Sequence, residues 1–222
     1  MDRGYAAFLD LIRYVTPTQE QLNDFQDSVV LCSPGYIDDD QLYAAFSKTS
    51  DTVIMTVSRA AAQRVNTIVV HKLFANQQPL TNVPCSSVAG GDVIYPYHGM
   101  KIVINENRDK TSRIVNGQDG TIVSNHGKTI IIQFADGERA FVYPVTHAVE
   151  GQGDVTRYPF TPAYARTICK SQGQNLKHLL VWLDCAMVPP GLGYVALSRI
   201  RRKADLSVMQ PMDASQLQPV NS

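Results

Sequence analysis

The stretch DTVIMTVSRAAAQRVNTIVVHKLF, residues 51–74, constrains the fold more than any other part of the chain. Thr52 to Val57 is a short run rich in apolar and β-branched residues, which favours a β-strand. Ser58 follows as a good helix N-cap, and apolar residues then recur at helical spacing from Ala62 to Leu73. A strand that turns directly into a helix is half of a βαβ unit. The chain should therefore contain a parallel sheet flanked by helices.

Later segments return to this α/β pattern. The apolar run LLVWL at 179–183 is typical of a strand buried on both faces, and LSVM at 206–209 is a second short strand. Between them, PPGLGYVALSRIRR at 189–202 predicts a helix that carries arginines. The spacing of residues 162–173 predicts another helix, with Gly173 as its C-cap.

The middle of the chain has a different character. From about residue 96 to 153, short strand-like runs are separated by pairs that end in Gly117, Gly127 and Gly137. Such pairs are hairpin signals, and four or five strands at this spacing indicate a small β-barrel. Because α/β character resumes afterwards, we interpret the barrel as an insertion.

The two ends of the chain complete the predicted organisation. The first 46 residues indicate short helices, one of which should begin at a cap formed by Thr16 with Gln19 three residues on. The polar C-terminus predicts a loose tail. The expected parts are a helical lead-in at 1–46, an α/β lobe at 47–95 and 154–210, an inserted barrel at 96–153, and a tail at 211–222.

Bulk composition says little about partners. Lys plus Arg and Asp plus Glu both number 20, so any anion-binding surface must be local. The 4 cysteines show no CxxC spacing, which argues against a zinc site and predicts a reducing compartment. The sequence has neither a long apolar run nor a signal-peptide pattern. We therefore expect an intracellular, non-secreted protein, nuclear, mitochondrial or cytoplasmic, without a membrane partner.

Local cationic positions suggest an anion-binding edge. Ser58 and Arg59 follow a strand and begin a helix, where open α/β sheets bind ligands and where a phosphate is favoured. Lys170 and Arg199 could converge on such an anion. Each of these charges is equally compatible with an ordinary solvated surface, so both interpretations stay open at this point.

Two C-terminal segments carry a family resemblance. ARTICKSQGQNL at 165–176 and GYVALSRIRR at 193–202 resemble the last motor motifs of superfamily-one DNA helicases. The likeness is greatest to the petite-integration-frequency (Pif) group and its RecD-like and Helitron-type relatives. Their pattern Thr-Ile-His-Lys-Ser-Gln-Gly is matched at 167–173 except for Cys169, which stands where the family usually has His. Their pattern Tyr-Val-Ala-Leu-Ser-Arg is matched at 194–199.

Other segments agree with the same family in the same order. Residues 52–66 are similar to a family segment that ends in Asn, here Asn66. Residues 99–123 resemble the opening and the Val-Asn-Gly turn of an SH3-like barrel inserted in the second motor domain. Residues 8–25 resemble the helices just upstream of that domain. The resemblance implies a RecA-like lobe of the P-loop NTPase type with an SH3-like β-barrel inserted into it.

The resemblance also implies roles for particular residues. Arg199 would be the arginine finger and hence the catalytic residue, since a guanidinium presents a planar, always charged fork to phosphate oxygens. Gln172 and Gly173 would lie with Arg199 beside the γ-phosphate of ATP. No metal ligand is expected on this chain. The residues expected at the nucleic acid are Ser58, Arg59, Thr167, Cys169 and Lys170.

One motif that a helicase motor requires is missing from the sequence. No Gly-x-x-x-x-Gly-Lys-(Ser/Thr) pattern occurs in the 222 residues, and no magnesium carboxylate is identifiable. The resemblance therefore implies the C-terminal motor lobe of an ATP-dependent DNA helicase. A first RecA-like lobe, in cis or in trans, would hold most of the ATP and Mg²⁺, and single-stranded DNA would cross both lobes.

We accordingly expect enzyme activity only within an intact two-lobe motor. Its implied action is 5′ to 3′ DNA unwinding, and the implied processes are DNA repair, recombination and telomere maintenance. Three alternatives remain open. The chain could be a fragment of a helicase, with the chemistry belonging to the intact protein. It could instead be a stand-alone single-stranded nucleic-acid-binding or interaction module derived from a helicase, or a decayed mobile-element product.

Overall fold

The computed structural model describes residues 2–48, 52–87, 93–107, 114–149, 151, 153–171 and 176–220. The α-helices are α1 (Arg3–Tyr14), α2 (Gln19–Gln26), α3 (Asp39–Phe46), α4 (Arg59–Leu73) and α5 (Leu192–Leu197). Short 3₁₀ helices lie at Ile168–Ser171, Lys203–Asp205 and Ala214–Leu217. The strands are β1 (Thr52–Thr56), β2 (Ser86–Ser87), β3 (Val93–Ile94), β4 (Lys101–Ile104), β5 (Asp119–His126), β6 (Thr129–Phe134), β7 (Arg139–Val142), β8 (Val145–Val149), β9 (Gly153–Arg157), β10 (Phe160–Pro162), β11 (Ala165–Thr167), β12 (His178–Trp182) and β13 (Leu206–Val208).

The chain divides into two compact units. The first contains Met1–Val65 together with Ala165–Ser222, and the second contains Asn66–Tyr164. The first unit is thus built from two separate pieces of sequence, and the second is the segment that lies between them in the chain.

The first unit contains a parallel sheet in the order β11-β1-β12-β13. Strand β12 lies inside this order and its Leu179, Leu180 and Val181 are buried, as expected for a strand covered on both faces. Strand β1 passes through Val57 and Ser58 directly into α4, and Ser58 caps that helix through its hydroxyl. The predicted α/β class, a parallel sheet with helices, is confirmed.

Helices from both ends of the sequence share a core with this sheet. Phe8 and Phe25 stack with ring centroids 3.7 Å apart, and the hydroxyl of the buried Tyr5 donates to the carbonyl of Leu197 at the end of α5. Burial raises the pKa of Tyr5, so this hydroxyl stays protonated as a donor. The first 46 residues contain the short helices α1, α2 and α3, and α1 and α2 belong to the same core as the sheet.

Three local predictions in the first unit are wrong. The cap of α2 is Thr18 with Gln21, not Thr16 with Gln19. Both pairs have the capping-box spacing, but the side chain of Gln19 is engaged elsewhere and accepts from the backbone N–H of Ala214 at 2.9 Å.

The helix predicted over 162–173 is also wrong within the described residues. The chain there forms β11 and then a single 3₁₀ turn, Ile168–Ser171, while Gly173 lies outside the described residues. Pairing explains the difference, because Ala165–Thr167 adds to β1 as a neighbouring strand. In so short a segment, apolar residues spaced three apart are compatible with a helix or with a strand.

The loose tail predicted for 211–222 is not found over residues 211–220. Met212 and Leu217 are buried, and Met212 exchanges two hydrogen bonds with the amide of the buried Gln26, at 2.7 and 3.2 Å. Hydrogen bonds to α2 and the burial of Met212 therefore hold this part of the chain in place. Residues 221 and 222 lie outside the described ranges.

The second unit is mainly antiparallel. Its largest sheet has the order β10-β4-β5-β6-β7, and β2–β3 and β8–β9 form two-stranded pairs. Buried and less buried residues alternate along β6 and β7, as a half-covered strand requires. Of the three predicted turns, those at Gly127 (φ 58°, between β5 and β6) and Gly137 (φ 86°, between β6 and β7) are confirmed, and Gly117, in the connection from β4 to β5, also has a positive φ of 88°. The SH3-like barrel and the boundaries at 46, 95, 153 and 210 remain predictions.

None of the helices in the described ranges combines the length and the apolar character that crossing a bilayer requires.

Candidate nucleic-acid interface

The predicted nucleic-acid residues come together at one edge of the parallel sheet. Strands β1 and β11 pair in parallel with Thr56 opposite Thr167, so their carboxyl ends are adjacent. Ser58 and Arg59 follow the first strand, and Cys169 and Lys170 follow the second. This is the edge at which open α/β sheets bind ligands. The sequence placed these residues in two distant segments, and the strand register makes them neighbours.

The turn after β11 exposes its cationic residue. Ile168 and Ser171 are completely buried, whereas Cys169 and Lys170 between them are exposed. The Ser171 hydroxyl points back to the Thr167 carbonyl at 3.4 Å. Because its two ends are held in the interior, the turn presents the thiol and the ammonium group to solvent. A lysine in such a position suits a phosphate as a point charge.

Ser58 is engaged by the protein itself. Its hydroxyl accepts from the backbone N–H of Ala61 at 3.0 Å, and its own N–H donates to the carboxylate of Asp184 at 3.2 Å. The N–H of Val57 donates to the same carboxylate at 2.7 Å. An internal anion therefore already occupies these amides at the start of α4. Of the two predicted residues there, Arg59 is the exposed one.

Asp184 is the residue that sequence reasoning missed. It follows β12 by two positions, so its carboxylate reaches the end of the neighbouring strand β1. Its second oxygen accepts from the Cys185 thiol at 3.5 Å, and burial together with this carboxylate raises the pKa of that thiol. The available signal was a lone carboxylate directly after the buried run LLVWL, at the ligand-binding edge of a parallel sheet.

Arg199 lies just beyond α5 rather than within it. The helix ends at Leu197, and the N–H of Arg199 closes a tight last turn on the carbonyl of Ala196 at 3.2 Å. Its Nε donates to the Val195 carbonyl and its Nη2 to the Ser198 hydroxyl, both at 2.8 Å. A guanidinium has five N–H donors, and these two contacts use two of them. The arginine-finger hypothesis requires that the remaining N–H groups meet the phosphate.

Arg199 is also tied to the segment that follows the Gln-Gly motif. Its carbonyl accepts from the N–H of Leu176 at 2.9 Å, and α5 packs against the turn 168–171. The structure thus brings Arg199 and the turn that carries Lys170 into one unit. Gln172 and Gly173, the other predicted nucleotide-binding residues, lie outside the described residues.

Arg202, the last residue of the predicted arginine-bearing segment 189–202, is paired within the protein. Arg202 forms a two-pronged pair with Asp205, at 2.8 and 2.9 Å. This pairing lowers the pKa of Asp205 and raises that of Arg202. Arg202 therefore acts in a local ion pair beside β13.

The described residues suit the phosphates of ATP better than they suit Mg²⁺. A half-buried guanidinium with fixed geometry at Arg199 suits a phosphate. Within the described part of the chain, no group of three or more His, Cys, Asp or Glu side chains is placed to hold a metal ion.

Comparison with known proteins supports the sequence resemblance. No family model matches the chain. Over 117 residues the chain is 34% identical to the ATP-dependent DNA helicase Pif1 of Bdellovibrio bacteriovorus, covering 50% of this chain and 26% of that helicase. The resemblance to the Pif group of helicases is confirmed.

Solved structures show a matching fold. The crystal structure of Bacteroides Pif1 bound to ssDNA matches 98% of this chain and 51% of its own, with a TM-score of 0.71 and 18% identity. Pif1 from Bacteroides in complex with ADP-AlF3 and ssDNA matches 90% of this chain and 50% of its own, with a TM-score of 0.61 and 18% identity. These likenesses confirm the RecA-like fold prediction. The chain spans about half the length of these structures and about a quarter of the curated relative.

Proposed function

We propose that this chain is the second, C-terminal motor lobe of a Pif1-type ATP-dependent DNA helicase that acts 5′ to 3′. In this proposal a first lobe supplies the P-loop and the Mg²⁺ carboxylate. The carboxyl edge of β1 and β11 contacts single-stranded DNA through Arg59, Thr167, Cys169 and Lys170. Arg199 reaches the nucleotide held by the first lobe.

The main support for this proposal is the position of two motif-like segments in the first unit. Two segments that resemble separate motor motifs lie in the same unit, and the described part of the first, the turn 168–171, contacts α5 of the second. An ATP-driven DNA motor needs a phosphate sensor and a DNA contact on one rigid body, because hydrolysis must change the position of the DNA. In this proposal Arg199 is the phosphate sensor and the turn 168–171 is the DNA contact.

The first test concerns the chain by itself. We expect no ATP hydrolysis above background in the purified chain, with or without single-stranded DNA, because it lacks the Gly-rich loop that cradles the phosphates. Phosphate release measured with and without oligonucleotide tests this. DNA-stimulated turnover that persists through purification and disappears in Arg199→Ala would contradict the two-lobe proposal.

The second test concerns the DNA edge. We expect weak, salt-sensitive binding of single-stranded DNA, and we expect Lys170→Ala to weaken it several-fold, because one phosphate contact is lost. Lys177→Ala is the matched control, since Lys177 is also exposed but precedes β12 at the opposite edge of the sheet. Fluorescence anisotropy at several salt concentrations gives both affinity and slope. Equal effects of the two substitutions would remove the assignment of this edge.

The same titration addresses the alternative function. A stand-alone nucleic-acid-binding module should bind single strands with an affinity that does not improve when a first lobe is added. A motor lobe should bind single strands more tightly when the first lobe is added. The joined lobes make more contacts with the strand, and the strand does not lose its translational and rotational freedom a second time.

A further inference from the structure

A cleft of about 330 Å³ opens in the first unit at the same edge of the sheet, beyond β12 and β13. The side chains that give it chemical character are Tyr36, Arg64, Trp182, Asp184, Gln210 and Gln216. We infer that this cleft binds one base of the DNA strand, with Tyr36 as its stacking surface. The inference rests on the proposed function and extends the DNA edge beyond the residues assigned to it.

The cleft adjoins the DNA edge at Asp184. Asp184 lines the cleft, and its carboxylate also holds the N–H groups of Val57 and Ser58. Arg59, the exposed cation of the DNA edge, follows immediately in the chain. A strand whose phosphate meets Arg59 therefore has the cleft beside it for a neighbouring base.

Tyr36 has the exposure and the support that a stacking platform needs. Its side chain is 83% exposed, and the Arg64 guanidinium lies over its ring with the central carbon 5.3 Å from the centroid. Arg64 is held there by the carbonyl of Ile37 and the carboxylate of Asp39, each at 2.8 Å. An exposed aromatic ring with a fixed arginine on it is the arrangement that single-stranded nucleic-acid binders use for bases.

The charge of the lining favours a base over a phosphate. Arg64 and Asp184 carry opposite charges, and Arg64 is already paired with Asp39. Gln210 and Gln216 add amide groups, whose nitrogens are bound to backbone carbonyls and so hold the wall in place. A wall without excess positive charge offers little to a phosphate. It suits a neutral planar group with donors and acceptors at its rim.

The test uses the full chain and its single tryptophan, Trp182, which lines the cleft. A short oligothymidylate should change the emission of Trp182, and an abasic strand of the same length should not. Tyr36→Ala should weaken oligothymidylate binding at least about fivefold, the loss of one stacked base, and leave abasic binding unchanged. Tyr36→Phe keeps the ring and should retain the affinity.

Tyr14→Ala is the matched control, because Tyr14 is 70% exposed and has Arg13 over its ring at 5.4 Å. Equal oligothymidylate affinity of Tyr36→Ala and Tyr14→Ala, with Lys170→Ala still weakened, would overturn the cleft and leave the proposed function standing. An equal Trp182 response to free thymidine monophosphate or ADP would make the cleft a mononucleotide site and overturn the strand contact. Failure of the chain to bind any strand would overturn both.

Discussion

Replacement of Arg199 should lower ATP turnover by about 10³ to 10⁵ in a motor that joins this chain to a matching first lobe. Both Arg199→Ala and Arg199→Lys should show this loss, because lysine keeps the charge but not the planar fork that meets two phosphate oxygens. The positive charge of Arg199 has its main effect in the transition state, when negative charge redistributes on the transferred phosphoryl group. When no ATP or ADP is present, the affinity of these variants for single-stranded DNA should stay nearly unchanged. The residues proposed to contact the DNA are Lys170 and Arg59, and not Arg199.

Steady-state ATPase rates and DNA affinities on matched variants separate this role from a structural one. Arg201→Ala is the control, because Arg201 is exposed and lies two residues further along the chain. Thermal unfolding should show that Arg199→Lys stays folded despite the loss of donors to Val195 and Ser198. A near-normal rate for Arg199→Lys, or an equal fall for Arg201→Ala, would remove the finger assignment.

Substitution of Gly193 should destabilise the first unit strongly. A Cβ at this position would lie 2.4 Å from the side chain of Leu217 and 2.8 Å from the carbonyl oxygen of Gln216. The carbonyl belongs to the 3₁₀ helix Ala214–Leu217, so it cannot move aside as a flexible side chain could. We expect Gly193→Ala to lower the free energy of unfolding by roughly 1–3 kcal/mol, the usual cost of overpacking an interior.

Gly4→Ala is the control for this prediction. Gly4 lies in α1, and the nearest atom to a new Cβ is a carboxylate oxygen of Asp2 at 3.6 Å. Alanine there should leave the stability unchanged or raise it, because alanine loses less backbone freedom than glycine in a helix. Urea unfolding followed by circular dichroism compares the two variants. Equal midpoints would show that the C-terminal 3₁₀ helix does not hold α5.

The largest disagreements between sequence and structure were in short segments. Residues 165–171 have an apolar spacing that fits a helix, and only the neighbouring strand β1 makes the first three of them a strand. Residues 211–220 are polar enough to predict a tail, and only contacts with distant parts of the chain, such as that with Gln26 of α2, give Met212 a buried place. Local propensity is a weak guide over three to ten residues, because one tertiary contact outweighs it.

The sequence by itself determined the long, regular features of this protein. The strand–helix unit at 52–73 and the apolar run at 179–183 required a covered parallel sheet, and the glycines at 127 and 137 required tight turns. These signals are local, since they depend on side-chain periodicity and on which residues tolerate a positive φ. The family resemblance supplied Lys170 and Arg199 as candidates in the same way, from residue identity alone.

Only the tertiary structure decided how these pieces come together in the candidate site. Parallel pairing of β1 with β11 and β12 placed Arg59, Lys170 and Asp184 at one edge, although they come from three separate segments. It also gave Asp184 the backbone amides that a ligand would otherwise meet. The cleft at Tyr36 needs four such segments at once. Strand order and register are set by packing between distant parts of the chain, and periodicity within one segment carries no information about them.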